Sequence, residues 1–452
     1  MNKPLSIFTF LVAIFCAKVS IAQPNPEFRG VWIATVDNID WPRKNQFNVD
    51  SQKQEFIRQL NLHQSNGMNA VIMQVRPAAD AFYPSPYEPW SQWLTGIQGK
   101  PPSPFYDPLQ FTIDEAHKRG FEYHAWVNPY RANFSISKAS IAASHITKQH
   151  PEWFVQYGNT KYFDPGNKEA QDWVTKVMKD IVARYDIDAL HMDDYFYPYP
   201  IAGKDFPDTA SYRLYGNGMS KEDWRRSNVD SIIKKVAATI KDTKPWVKFG
   251  ISPFGVWRNV AKDPQGSNTK AGVTNYDDLY ADILLWLKNG WIDYVAPQIY
   301  WEFTQPNAPF QPVLEWWNKH SYGRHVYVGL AMFRAGSNAV WRDKSLIPRQ
   351  IDSLRNQENV QGAIYFSSTS FDKNPNGWND SLKNNYYREP AAIPDMPWLP
   401  KNPNAATGYN PKQKEIKGAA PASKSLLVNL LVPSLFWNFK FHVFGVFANF
   451  LR

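Results

Sequence analysis

A chain of 452 residues with 43% hydrophobic and 20% charged residues can bury a full core, so length admits either one large domain or several smaller ones. The net charge of +9 comes from 50 Lys and Arg scattered among 41 acids, with no basic run and no nucleic-acid motif, which excludes nucleic acid as the expected partner. The single cysteine, Cys16, excludes an internal disulfide framework and a cysteine metal site, whereas 19 Trp, 23 Tyr and 28 Phe exceed ordinary packing needs and offer flat platforms for sugar faces.

The chain opens with MNKPLSIFTFLVAIFCAKVSIAQ, where a lysine near the start precedes an apolar run and Ser20 and Ala22 stand in the small-residue positions of a cleavage site before Gln23. Residues 1–22 are expected to be a secretory signal, because the run is too short and too soon broken by Lys18 to span a bilayer. The expected location is the periplasmic or extracellular cell envelope. Lipid attachment at Cys16 is the less favoured reading, since the bulky Phe15 before it suits that processing poorly.

Eight short β-type runs follow in order: RGVWIAT, NAVIMQVRP, FEYHAWVNPY, IDALHMDD, VKFGISPF, DYVAPQIYW, VYVGLAMF and QGAIYFSS. Helical patterns separate them. VDSQKQEFIRQLNLHQSNG closes on Gly67, and SKEDWRRSNVDSIIKKVAATIK opens with Ser220 and Asp223 placed as a capping box. Alternating β and α elements imply a parallel sheet, and eight units without a ninth strand favour a closed (β/α)8 TIM barrel over an open doubly wound sheet. No glycine-rich phosphate loop follows the first run, which disfavours a dinucleotide fold. Inserts from Ala78 to Pro108 and from Phe196 to Met219 follow strands, and in a barrel they build the rim where ligands bind.

Past Glu389 the composition turns to Pro, Asn and Lys. Residues 23–390 are therefore expected to be the catalytic domain and residues 391–425 an extended or disordered linker. The closing residues 426–452 are oily and aromatic but interrupted by Pro433, Lys440 and His442; they are assigned no function, and membrane contact through them is the lesser expectation.

Side chains alternate along a strand, so one set of each run faces the lumen. In IDALHMDD, Leu190 and Met192 suit the helix side, which turns His191 and Asp193 inward and starts the loop at Asp194. The same phasing turns inward Gln74 and Arg76 on the second run, His124, Trp126 and Asn128 on the third, Gly250 and Ser252 on the fifth, and Gln298 and Tyr300 on the sixth. All fall toward the carboxyl ends of strands, where a barrel assembles its site, and the neighbouring Tyr195 and Trp301 complete the expected substrate contacts. Arg76 equally suits neutralising a carboxylate beneath the site, Gln298 satisfying backbone, and Trp32, Trp126 and Trp301 forming core or wall. Asp193 is different, because an acid phased inward at the end of a buried strand is costly to hold without a partner or a task.

Glycoside hydrolysis commonly uses two carboxyl groups about 5 to 9 Å apart. Adjacent residues reach such separations only where the backbone turns, so ordinary retaining or inverting schemes call for a second acid. Glu302, just beyond PQIYW, is the best candidate; Asp37 and Asp80 are weaker, and all three also read as solvated loop acids. A different scheme uses the pair directly. When the substrate carries an N-acetyl group, its carbonyl can attack the anomeric carbon, leaving the protein one carboxylate to orient the amide and one acid to protonate the leaving oxygen. A like-charge neighbour raises one of the two pKa values and keeps that group protonated.

The stretches FRGVWIATVDNIDWP, VIMQVRPAADAFYPS, HAWVNPYR, YFDPGN, LHMDDYFYPYP, GISPFGVWRN and APQIYW resemble, in order, the glycosyl hydrolase-like 10 family of exported bacterial proteins, over about Glu27 to Trp398. The resemblance implies a (β/α)8 barrel glycosidase of the cell envelope that acts on peptidoglycan glycan strands, notably those stripped of stem peptides. It places the family's acidic strand-end motif on Asp193 and Asp194, and its polar strand ends on Arg76, Asn128 and Gln298. Relatives often continue past PMPWLP into a further β domain, whereas here that segment leads to the linker and oily tail.

The expectation is thus an exported hydrolase of an N-acetylhexosamine polysaccharide, with Asp193 orienting, Asp194 as acid and no cofactor. The alternative is a glycan-binding barrel without turnover. A metal held by His124, His191 and Asp193 is disfavoured for want of a closely spaced histidine pair.

Overall fold

The computed structural model describes residues 26–137 and 140–403. The expected signal at 1–22 and the tail at 426–452 lie outside the described residues. Among the described residues no helix is long and apolar enough to cross a membrane.

Among the described residues ten strands form: β1 (Phe28–Ile33), β2 (Ala70–Arg76), β3 (Glu122–Val127), β4 (Phe154–Tyr157), β5 (Thr160–Phe163), β6 (Ala189–Met192), β7 (Lys248–Ile251), β8 (Tyr294–Val295), β9 (His325–Ala331) and β10 (Gly362–Phe366). β1, β2, β3, β6, β7, β8, β9 and β10 pair in that order, each parallel to the next, and β10 closes on β1. The fold is a (β/α)8 barrel, and each of its strands falls in one of the eight runs, β1 and β9 beginning one residue earlier, at Phe28 and His325. β4 and β5 form an antiparallel hairpin within the connection from β3 to β6. That hairpin was not among the expected strands, although FVQYGNTKYF alternates around a Gly-Asn turn.

Local chemistry sets the helix ends. Asn48 starts the helix Val49–Ser65 by accepting from the Ser51 amide at 2.9 Å, and Gly67 turns the chain away from it at φ 78°. Ser220 accepts from the Asp223 amide at 3.1 Å at the head of the helix Lys221–Thr243. Across the barrel seam, the buried Asp40 after β1 accepts from Ser367 Oγ, the Thr369 amide and Thr369 Oγ1 at 2.7 to 2.8 Å, which ties the first loop to the last.

The lumen is filled rather than hollow. Phe28, Trp32, Ala70, Ile72, Trp126, Tyr294, Tyr327 and Ile364 pack as one apolar cluster, with Phe28 stacked on Tyr327 at 3.9 Å between ring centroids. Gly250 on β7 makes room for the Tyr294 ring, which would lie 1.9 Å from a Cβ at that position.

Packing continues beyond residue 390, where a free linker was expected to begin. The Glu27 amide donates to Ala392 O, Asn69 Nδ2 donates to Ala391 O, and Trp398 Nε1 donates to Asp293 at 2.9 Å. Met396 is buried in the lumen cluster, with Ile393, Trp398 and Leu399 packed against it. Each of these partners precedes a strand or begins one, so the segment closes the amino-terminal end of the barrel and the folded domain runs at least to Leu399. Proline-rich composition marks extended backbone, and here the extended backbone lies on protein rather than in water. Met396→Ala is expected to lower unfolding stability in urea by about 2 kcal/mol or more, the usual cost of removing a buried long side chain; an unstructured linker would show no change.

Candidate active site

A hydrogen-bonded column rises through the lumen from β3 to the strand ends. At its foot Lys248 pairs with Glu122; burial opposes the Glu122 charge, but the lysine and His124 outweigh it and hold the carboxyl down at about 2. Glu122 faces His124 Nε2 at 3.2 Å, His124 Nδ1 meets the Tyr294 hydroxyl at 2.8 Å, and the same hydroxyl meets His191 Nδ1 at 2.8 Å. Trp32 Nε1, which can only donate, points at His191 Nε2 from 3.4 Å. That donor fixes the proton order: His191 accepts at Nε2 and donates from Nδ1 to Tyr294, which donates to His124 Nδ1, and His124 donates from Nε2 to Glu122. Burial pushes the His191 pKa well down, so the ring is neutral as this order requires. Ser252 Oγ sits 2.9 Å from the same Nε2.

Above the column stand the two acids, each only 3% exposed. Asp193 accepts from Trp126 Nε1 at 3.1 Å, from Asn128 Nδ2 at 2.9 Å and from the Tyr195 amide at 3.4 Å. Burial raises its pKa, and the Arg131 charge and these donors work against the rise. Asp194 accepts from the Tyr199 hydroxyl and from the Gln298 side chain. Burial first, and the Asp193 charge second, push it up to about 7. Two adjacent carboxylates titrate as a pair, and the member held by three N–H donors is the one that ionises first. Asp193 is therefore the anion and Asp194 the group that keeps its proton near neutrality.

The phasing brought Asp193, Trp126, Asn128, Gln298 and Tyr195 to one place, and Tyr300 lies near enough for its pKa to feel the Asp194 charge. Tyr300 also packs on Phe333 and Phe366, and Trp301 on Phe254, along the rim over β8 to β10. The remaining expected substrate contacts sit lower. His191 and Ser252 belong to the column. Gln74 Oε1 accepts from the Thr35 and Val36 amides and shapes the turn after β1. Arg76 is fully buried, paired through two nitrogens with Glu88 at 2.5 and 2.7 Å, and also donates to the carbonyls of Asn128 and Pro129. These four act as supports beneath the lining.

Glu302 is not among the groups bonded to either aspartate. It stands in the loop after β8, electrostatically coupled to Arg334, with Oε2 buried and unpartnered. Asp80, buried and pushed up to about 7 first by desolvation, accepts from Gln98 in the second loop, and Asp37 sits half-buried in the first. His124, His191 and Asp193 do not converge on a common centre, since both imidazoles turn Nδ1 to Tyr294. Sequence reasoning missed Arg131, Tyr199 and Glu88. Arg131 and Tyr199 lay in plain view in HAWVNPYR and YFYPYP, past the point where strand alternation says which way a side chain faces.

A proton-bearing carboxyl next to an anchored carboxylate can protonate a leaving oxygen while its neighbour holds a hydrogen-bond donor or stabilises positive charge. Comparison with known proteins agrees with that chemistry. The profile of the glycosyl hydrolase-like 10 family matches residues 27–345. "Glycosyl hydrolase YngK" of Bacillus subtilis is 50% identical over 411 residues, which cover 88% of this chain and 80% of that protein. "Glycosyl hydrolase DigH" of Escherichia coli K12 is 39% identical over 362 residues, covering 76% and 81%. Among solved structures, the glycoside hydrolase domain of PgaB (BpsB) from Bordetella bronchiseptica superposes with a TM-score of 0.50 at 13% identity, over 79% of this chain and 98% of that one. The catalytic domain of β-amylase from Paenibacillus polymyxa does so with 0.51 at 13%, over 81% and 99%. At such identity these two speak for the barrel alone.

The raised acid has a stability signature. Between its ordinary value of 3.8 and about 7, the folded chain holds the Asp194 proton while the unfolded chain has lost it, so stability from this group falls as pH rises through that window and is level above it. Asp194→Asn removes the penalty. The difference in melting temperature, variant minus wild type, is expected to grow in the variant's favour from pH 4 to pH 8; a difference independent of pH would rule out the buried, protonated Asp194.

Proposed function

We propose, for a chain that belongs to the glycosyl hydrolase-like 10 family and hydrolyses glycosidic bonds, that its substrate is an N-acetylhexosamine polymer of the cell envelope, the glycan strands of peptidoglycan, reached by export through residues 1–22. The observation that carries the reading is the adjacency of the anchored anion Asp193 and the proton-holding Asp194, with no second acid bonded to them.

In this scheme Asp193 accepts a hydrogen bond from the N–H of the 2-acetamido group and turns the amide so that its carbonyl oxygen faces the anomeric carbon. The carbonyl attacks, the glycosidic C–O bond breaks, and Asp194 passes its proton to the departing oxygen. The positive charge on the resulting oxazolinium ring lies beside the Asp193 carboxylate. Water then attacks the same carbon, Asp194 takes the proton from that water, and the amide re-forms with the original configuration at the anomeric centre. Trp126 and Asn128 hold Asp193 in place, and Tyr199 and Gln298 hold Asp194. Tyr195, Tyr300 and Trp301 supply aromatic surface for the sugar rings.

Incubating the purified chain with peptide-free glycan strands is expected to release shorter fragments, read by mass spectrometry. Asp193→Asn and Asp194→Asn should each lower kcat by about a hundredfold or more, the usual contribution of one positioned acid or base. Turnover should also fall above about pH 7, as Asp194 loses its proton. Saturable binding with no fragments, unaffected by either change, would identify a glycan-binding barrel instead.

A further inference from the structure

We propose that the loops after β1, β2 and β3 form a surface that docks on an anionic phospholipid bilayer, with Phe47, Ile97, Phe105 and Ile136 entering the headgroup region and the lysines of the same loops meeting lipid phosphates. The surface takes no part in the roles given to Asp193 and Asp194, and the inference stands or falls independently of the sugar that is cleaved.

Large apolar side chains in water gather on this part of the fold. Among the described residues four of the ten that are exposed stand on these three loops, at 39% to 66% exposure. Phe47 precedes the helix Val49–Ser65, Ile97 and Phe105 lie between β2 and the helix Pro108–His117, and Ile136 lies between β3 and β4. A single exposed apolar residue is ordinary, whereas a gathered set marks a surface that something covers.

Hydrogen bonds make the three loops one platform. Asn38 Nδ2 donates to Trp93 O at 2.7 Å, and Gln52 Nε2 donates to Gln46 O at 2.7 Å and to Leu94 O at 2.8 Å, which joins the first loop to the second. The Phe47 ring lies against Gly96, where a Cβ would come within 2.8 Å of it. Gln92 Oε1 accepts from the Ser140 amide at 2.7 Å and Gln98 Oε1 from the Ala142 amide at 3.0 Å, which joins the second loop to the third. Trp90 meets Phe105 and Trp93 meets Phe134 edge to face, at 6.2 and 6.0 Å between centroids.

Charge identifies the partner. Residues 41–49, 89–106 and 132–149 contain no Asp or Glu in a chain that has 41 acids; their charged residues are Arg43, Lys44, Lys100, Lys138 and Lys148. Lys44, Lys100 and Lys148 are exposed, while Arg43 is paired with Glu55. The acids that border these stretches are engaged elsewhere, Glu88 with Arg76 and Asp107 with the Gln110 amide and the Tyr185 hydroxyl. The other gathered exposed residues, Leu214, Tyr215 and Met219, instead share residues 200–223 with Asp205, Asp208, Glu222 and Asp223. Apolar side chains among cations suit an anionic leaflet, whose acyl boundary takes the first and whose phosphates attract the second. A sugar platform would present flat Trp or Tyr faces beside carboxylates that accept from hydroxyls. Here the exposed positions are Phe and Ile, and Trp90 and Trp93 are half-buried. The three loops share the carboxyl-terminal end of the barrel with the two acids, so docking sets the mouth of the cleft beside the bilayer.

The test places a polarity-sensitive nitrobenzoxadiazole label on Ile97→Cys in the full-length chain carrying Cys16→Ser, and adds vesicles of phosphatidylglycerol and phosphatidylcholine in equal parts. Emission is expected to shift to the blue and to be quenched by brominated acyl chains. Phosphatidylcholine alone should give little shift, and the same label on Leu214→Cys should give none with either vesicle. In sedimentation, Ile97→Ser with Phe105→Ser, and separately Lys44→Glu with Lys100→Glu, should each weaken binding to the mixed vesicles by about tenfold or more. A label at position 97 that stays in water overturns the proposal, even when the chain sediments with vesicles through residues 426–452. Two other outcomes also overturn it, each with vesicle binding unchanged by the Ile97→Ser and Phe105→Ser pair: a change in oligomeric state, which identifies a protein interface, and a raised KM on soluble glycan strands, which identifies a sugar platform.

Discussion

Two neighbouring carboxyl groups are held out of water at the end of β6, and most of the molecule's polar interior exists to make that tolerable. Each buried charge costs several kcal/mol unless hydrogen bonds replace its lost hydration. Asp193 receives its donors from β3 and from the turn after β6, and Asp194 from the loop after β6 and from the residue that bridges β7 to β9. No single strand could supply that set. Closing the sheet brings residues 67 and 105 positions apart in the chain onto one pair of acids, as the spacings from Trp126 to Asp193 and from Asp193 to Gln298 show. The asymmetry of the donors then splits the pair. N–H groups gather on Asp193 and favour its charge, while burial and the neighbouring anion leave Asp194 protonated.

Beneath the pair the lumen carries a column of alternating donors and acceptors whose sense is dictated from its upper end. Because an indole offers a donor and no acceptor, Trp32 forces His191 into one tautomer, and each later group down to Glu122 has a single consistent role. The ion pair of Glu122 with Lys248 sits at the end of the column remote from the site, and His191 at its upper end is neutral. The absence of a side chain at Gly250 belongs to the same logic, since it admits the Tyr294 ring through which both histidines are joined.

How much of this could be read from residues alone follows the reach of strand periodicity. Within a strand the side chain direction is fixed by position, so His191 and Trp126 were legible, and the alternation carried one residue beyond β6 and β7 to the inward Asp193 and Ser252; barrel closure was legible from eight alternating runs. Further into the loops that rule lapses. Arg131 and Tyr199 lie in such turns, and nothing in HAWVNPYR or YFYPYP says that one will stack on Tyr195 and the other reach Asp194. At Arg76 the structure takes the alternative that the sequence left open, a guanidinium neutralising a carboxylate beneath the site, Glu88, beside a register shift between Gln74 and Arg76. Composition misled at the other end of the barrel. Pro-rich residues 391–399 lie against the strand starts as a lid, an outcome set by Met396 and Trp398 finding apolar partners and not by backbone preference.

A fully buried ion pair, Arg76 with Glu88, stands close beneath the site. Arg76 bonds both oxygens of Glu88 and has donors to spare, and it directs them at the carbonyls of Asn128 and Pro129. Those two residues begin the turn that aims Asn128 Nδ2 at Asp193 and sets Arg131 over Tyr195. The second loop thus fixes the third, and the third positions both the donor that favours the Asp193 charge and the guanidinium over Tyr195. A hydrophobic replacement of similar volume at Arg76 and Glu88 together would leave the barrel stable, yet it would release the Asn128 turn that Arg76 holds. What the buried pair contributes is placement of that turn, and the geometry of the acids is downstream of it.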